Sequence, residues 1–196
     1  EGMFKAAGDA GVLAYVGDST NSEVNGRSGS EADVAIGLEA EFRKCEGKIA
    51  VTAFSSNSGP VISIAKAAAA CDRRVGVIGR SLHRMIGCAY ECGLLDDIPE
   101  FISEEDMGDL PNDKIVVIMT GSQGEFRAAL AKVARGDFRN FSLGQGDTVI
   151  FSARAIPGNE VAINKVKNNW SKSGIEGITD KLDYNKQQGY RFEELY

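Results

Sequence analysis

Short β-branched runs alternate with helical stretches along this chain, and five times a run breaks into a small polar loop that carries Gly or Asn and leads toward a helix. The loops are GDSTN (17–21), SSNSG (55–59), GRS (79–81), TGSQGE (120–125) and SARAIPGNE (152–160). Strands that alternate with helices in this way join through right-handed β-α-β crossovers into a mainly parallel sheet with helices on both faces, a doubly wound α/β fold. In such a sheet every strand's carboxyl end lies on one edge, so the five loops should converge there. They would offer backbone N–H groups and hydroxyls at helix N-termini, which is a surface for anions, phosphates first among them.

The expected strands are 12–16, 48–54, 75–78, 114–119, 147–152 and 174–178, and the expected helices 30–45, 60–70, 82–92, 124–135 and 159–172. Ser30, with acids at Glu31 and Asp33, has the layout of an N-terminal cap. Pro60 stands where proline is tolerated, in the first turn of a helix. The acidic stretch 96–113 has no period and reads as a solvated loop with one helical turn near 103–106. A single domain is expected over 1–180, followed by a tail or docking segment over 181–196.

Composition narrows the function classes. No stretch approaches the roughly 18 to 20 apolar residues of a membrane span, and the start lacks a signal-peptide layout, so a cytoplasmic protein without membrane contact is expected. The four cysteines form no CxxC pair and His83 is the single histidine, which leaves little to build a zinc site from. Cys88 and Cys92, four apart, read as buried small side chains. A net charge of −6 disfavours binding of polyanions by bulk charge. Locally, Arg73, Arg74, Arg80, His83 and Arg84 fall within twelve residues and reverse that sign.

In this order and spacing DSTN (18–21), TAFSSN (52–57), VIGRS (77–81), TGSQGE (120–125) and IFSARAIPGNE (150–160) resemble the β-CASP domain of the ribonuclease J family, over nearly the whole of 1–180. The resemblance implies a cytoplasmic, metal-dependent RNase with 5′-to-3′ exonucleolytic and endonucleolytic activities, acting in mRNA decay and rRNA maturation. It also implies a β-CASP domain inserted into a metallo-β-lactamase domain, with RNA in the cleft between them over two zinc ions. Asp18 matches an acid that orients a catalytic-site histidine supplied from later in the chain; a carboxylate bonded to an imidazole fixes its tautomer and raises its pKa. Ser19, Thr20, Asn21, Ser56, Asn57, Arg80, Ser81, His83, Ser122 and Gln123 would then line the RNA channel and the pocket for a 5′ phosphate. Arg80 would fork onto the phosphate and Ser81 and Ser122 would complete the cradle.

The chain departs from the family pattern at three places. The HxHxDH zinc motif is absent, DYNKQQGY (183–190) stands where the family runs into His-x-Ser-Gly-His, and SGP (58–60) replaces a residue leading to a basic side chain. An RNA-binding segment, inactive alone and with no cofactor of its own, is therefore the expected function. Its partners would be single-stranded 5′-monophosphorylated RNA and a metallo-β-lactamase domain, with homo-oligomers formed through the full enzyme. Two other readings remain open. One is a nucleotide-binding module, although neither GxGxxG nor GxxxxGK[ST] follows the first strand; the other is an interaction domain that docks the lactamase domain. Among single residues, Glu125 reads first as an acid in the first turn of a helix, and Trp170 and Tyr15 as core.

Overall fold

A computed structural model describes residues 2–14, 16, 31–153, 156, 158–171, 174–178, 183–184 and 190–191. Its centre is a five-stranded sheet of β1 (Ile49–Thr52), β2 (Arg74–Ile78), β3 (Ile115–Met119), β4 (Thr148–Phe151) and β5 (Glu176–Ile178), in the order β2-β3-β1-β4-β5. Every pairing is parallel; Val51 faces Ile118 on one side and Ile150 on the other. The β-branched runs of β1, β3 and β4 are buried on both faces, as a parallel sheet requires.

Among the described residues there are six α-helices: α1 (Gly2–Ala10), α2 (Glu31–Phe42), α3 (Gly59–Ala70), α4 (Arg80–Glu91), α5 (Ala129–Ala134) and α6 (Glu160–Ser171). Side-chain alternation sorts α2 to α6 into two layers. Val116 and Ile118 of β3 point into a core with Leu38 and Phe42 of α2, Ile64 and Ala68 of α3, and Leu82 and Ile86 of α4. Ile115, Val117 and Met119 point the other way, onto Leu130 and Val133 of α5 and Ile163, Val166 and Trp170 of α6. Trp170 packs on Phe151 with ring centroids 5.4 Å apart, in the core as expected.

Several expectations are corrected. The run 12–16 is not a strand in its described residues: Val12 and Val16 are exposed and Leu13 is fully so, at 106%. A short apolar run becomes a strand only when a ladder partner receives it, and no described strand does. The fifth helix starts at Ala129 rather than 124, because 120–128 is folded into turns, with the Gly124 amide bonded to Gly121 O at 3.1 Å and Ala128 to Glu125 O at 3.0 Å. The stretch 96–113 is more than a solvated loop: Leu95 beside it and Met107 within it are buried, Ile102 donates to Val75 O at 2.9 Å along the edge of β2, and 3-10 turns form at Asp106–Asp109 and Asn112–Lys114. Cys88 and Cys92 are exposed, because the buried stripe of α4 is Leu82, Ile86 and Ala89 and leaves them outside it. Residues 183–184 and 190–191 form a short antiparallel pair. No helix among the described residues is long and apolar enough to cross a membrane.

The amino-terminal edge of the sheet is tied by Asp147, only 4% exposed. Its Oδ1 accepts the Lys48 amide at 2.8 Å, its Oδ2 accepts the Gly144 amide at 2.9 Å, and Lys48 Nζ stands 3.8 Å from Oδ2. Asp147→Ala leaves two amides without their acceptor and should cost about 2–4 kcal/mol, measured as a lower urea midpoint at unchanged slope.

Candidate functional site

The chain order places a crevice at the opposite edge. The loop after β1 leads to α3 and the loop after β2 to α4, both on one face, whereas the loop after β3 leads to α5 on the other. Since β3 lies between β2 and β1, the connections part on either side of its carboxyl end, and a parting of this kind leaves a ligand-sized opening. An open cleft of about 830 Å³ occupies that position. Ser55 lines it from the end of β1; Gly79, Arg80, Ser81, His83 and Arg84 from the start of α4; and Thr120, Gly121 and Ser122 from the end of β3.

The TGSQGE turn is built by close approach. A Cβ on Gly121, whose φ is +120°, would stand 2.7 Å from Leu130 Cβ and 3.0 Å from Ala128 Cβ. A Cβ on Gly124 would stand 2.5 Å from the carbonyl carbon of Ala162, so only glycine lets this turn seat against α6. Between the two glycines Gln123 is buried, and its Oε1 accepts the Ile156 amide at 2.8 Å and Asn159 Nδ2 at 3.3 Å. The side chain thereby fastens the loop after β3 to the loop after β4.

Electrostatically the cleft is uneven. Arg80, Arg84, Arg127 and Lys132 line it with His83, and none of the four arginine and lysine side chains forms an ion pair with another described residue. Glu104 and Glu125 are the acids on its wall. At the far edge Arg73 and Lys114 have partners. Arg73, only 7% exposed, donates to Gly47 O at 2.8 Å and to Cys45 O, and Lys114 pairs with Asp72 at 2.6 Å. Arg73 and Arg74, at the start of β2, are therefore not part of the basic face suggested by sequence, because β2 carries its two ends to opposite edges.

Among the expected site residues, Arg80, Ser81, His83 and Ser122 come together on the cleft wall. Ser56 and Asn57 are exposed in the loop after β1 and do not line it; Asn57 Oδ1 accepts the Gly59 amide at 3.0 Å as the chain enters α3. Gln123 lies behind the wall. Asp18, Ser19, Thr20, Asn21, Tyr15 and the cap at Ser30 fall outside the described residues. Sequence reasoning passed over Arg127, Lys132 and Glu104, whose only signal was proximity to TGSQGE and to the 103–106 turn. Glu125 is not in the first turn of a helix, since α5 begins at Ala129; its Oε2 accepts the Gln123 amide at 3.0 Å.

A second groove, about 630 Å³, lies at the far edge between Cys45, Cys71, Glu46 and Asp113. Burial pushes both thiols up from their ordinary value, and the Cys45 thiol donates to Glu41 O at 3.3 Å, so these are protonated packing residues. Among the described residues no three of His, Cys, Asp and Glu are grouped to hold a metal ion. They do not fit the two zinc ions that the resemblance implies for a complete enzyme.

The fold and the cleft define a doubly wound α/β domain whose carboxyl edge is open and lined by cations. The family model for the ribonuclease J β-CASP domain matches residues 46–170. Ribonuclease J of Sinorhizobium meliloti is 47% identical over 180 residues, covering 92% of this chain and 32% of that protein. Ribonuclease J of Mycolicibacterium smegmatis is 43% identical over 177 residues, with 88% and 31% covered, and that of Helicobacter pylori strain 26695 is 32% identical over 188, with 95% and 27% covered. The chain thus belongs to the ribonuclease J β-CASP domain family, and it spans about a third of the length of these relatives.

Removing the fastening between the two loops gives a direct test of how the cleft is held. Gln123→Ala should leave the Ile156 amide without its acceptor and accelerate its hydrogen exchange by about tenfold, the equilibrium worth of one hydrogen bond.

Proposed function

We propose that this chain is the RNA-gripping segment of a ribonuclease J-like enzyme, and that its cleft holds the phosphates of single-stranded RNA. The observation that carries the reading is the gathering of Arg80, Arg84, Arg127 and Lys132, without ion-pair partners among the described residues, over the hydroxyls of Ser55, Ser81 and Ser122. An unpaired guanidinium beside small hydroxyls is suited to forked bonds with a phosphate, and the open form of the cleft suits a polymer that passes through. Arg80 takes the phosphate nearest the start of α4, and Ser81 adds a hydroxyl beside it. Ser122 closes the opposite wall. A net charge of −6 then keeps binding local to this edge.

In this reading the segment does not hydrolyse RNA alone. A metallo-β-lactamase domain with two zinc ions supplies the hydrolytic chemistry in the complete enzyme, a cytoplasmic RNase that works 5′-to-3′ and internally in mRNA decay and rRNA maturation and assembles through its full length. Asp18 serves there as the accessory acid that orients a histidine absent from this chain, with Ser19, Thr20 and Asn21 beside it. The preferred ligand is RNA with a 5′-monophosphate.

The test is the affinity of the 196-residue chain for a short single-stranded RNA over a salt series, beside Arg80→Ala. Loss of one phosphate contact should weaken binding about fivefold to tenfold and reduce the slope of log K against log salt by about 0.7. Binding indifferent to salt and to Arg80 would overturn the reading. Displacement of RNA by an equal concentration of free mononucleotide would favour a nucleotide-binding module, and no binding at low salt would favour an edge that only docks another domain.

A further inference from the structure

At the rim of the cleft a phenylalanine ring stands in solvent, held from one side. Phe126 is 70% exposed and lies between Glu125 and Arg127, both of which line the cleft. Behind the ring, the guanidinium carbon of Arg135 is 4.2 Å from its centroid. Arg135 is itself fixed: Nε donates to Asp137 Oδ2 at 2.7 Å and Nη1 to Phe126 O at 3.2 Å. The guanidinium therefore props one face of the ring, and the exposure belongs to the other. Among the described residues no second ring stacks on it. Lys132 and Arg135, three apart at the end of α5, share one side of that helix, so a cation of the cleft wall and the prop of the ring are neighbours.

We propose that Phe126 is a stacking platform for one base of the RNA, that of the nucleotide which passes the rim beside Arg127 and Lys132. The inference rests on the RNA-binding reading above and deepens it by naming a residue that holds a base rather than a phosphate. An aromatic face accepts any nucleobase, because every base has a π-face of its own. A cation over one face of a phenyl ring is held by the negative potential of that ring. With Arg135 already drawing on it, the free face suits a flat, neutral base better than a second cation from a protein partner. The surroundings point the same way. Glu125 and Arg127 flank Phe126 and are exposed, and Arg135 and Asp137 stand behind it, so the ring is set among charges rather than at the centre of an apolar patch that a protein would cover. A stacked base releases no counterion, so the platform adds affinity without adding salt dependence.

The experiment measures, over a salt series, the binding of a short single-stranded RNA and of an abasic sugar–phosphate oligomer of the same length. The proteins are the wild-type chain, Phe126→Ala, Phe126→Leu, Phe126→Trp and Arg80→Ala. Phe126→Ala should weaken RNA binding about tenfold, the worth of one base–aromatic stack, at an unchanged salt slope, and should leave the abasic oligomer unaffected. Phe126→Leu, apolar but without a π-face, should behave as Phe126→Ala does, and Phe126→Trp should bind RNA at least as tightly as wild type. Equal losses on RNA and on the abasic oligomer would make the ring a brace of the cleft wall and overturn the proposal. A Phe126→Leu chain that binds RNA like wild type would overturn it as well. Arg80→Ala separates the two levels. If it weakens binding and lowers the salt slope while Phe126→Ala changes nothing, the RNA-binding reading stands and the platform fails; a loss of affinity of Phe126→Ala for a metallo-β-lactamase domain would then assign the ring to docking. If wild type binds neither oligomer at low salt, both fail.

Discussion

Parallel pairing throughout the sheet is the constraint on which the rest of this structure depends. Because β1 is flanked by β3 and β4, and every neighbour runs the same way, each loop that follows a strand is delivered to one edge and each loop that precedes one to the other. The helices after β1 and β2 fall on one face and those after β3 and β4 on the opposite face, so the chain parts at the end of β3. The cleft is a consequence of that parting and needs no pocket-forming insertion.

The two edges have been given opposite tasks by their charges. At the amino-terminal edge Arg73 is bound to backbone carbonyls, Lys48 lies beside Asp147 and Lys114 pairs with Asp72, so charge there is spent on closing loops. At the carboxyl edge four cations stand without ion-pair partners among the described residues. Unpaired cations around a concave wall raise the local potential even where the whole chain is acidic, because screening limits the reach of the distant charges to about a Debye length of 8–10 Å. The apolar layers and the Gln123 fastening keep that wall in place.

Legibility varied with how local the determining physics was. Strands such as Ile115–Met119 were readable because a continuous β-branched run between turn residues has few other uses, and the start of α3 was readable from Pro60. The class of loop at each strand end was equally plain. Residues 12–16 have the same composition as a strand yet lack a described partner, which no local pattern reports. Cys88 and Cys92 were misplaced because four-residue spacing shows that two residues share a helix face without showing which face is buried. Arg73 and Arg80, seven residues apart in one basic cluster, were separated by the length of β2.

What the amino-acid sequence determined by itself was the alternation of elements, the doubly wound class and the polar, glycine-bearing character of the strand-end loops, since periodicity and turn chemistry act within a few residues. The β-CASP resemblance of those loops was also legible from the order in which they occur. Only the tertiary structure decided which cations share a wall. Arg127 and Lys132 meet Arg80 and Arg84 because β3 is inserted between β2 and β1, and strand order depends on long-range pairing that no local pattern encodes. The same holds for Gln123, turned inward to hold a loop thirty-three residues away, and for Glu125, which occupies an amide that the sequence alone offered to a phosphate.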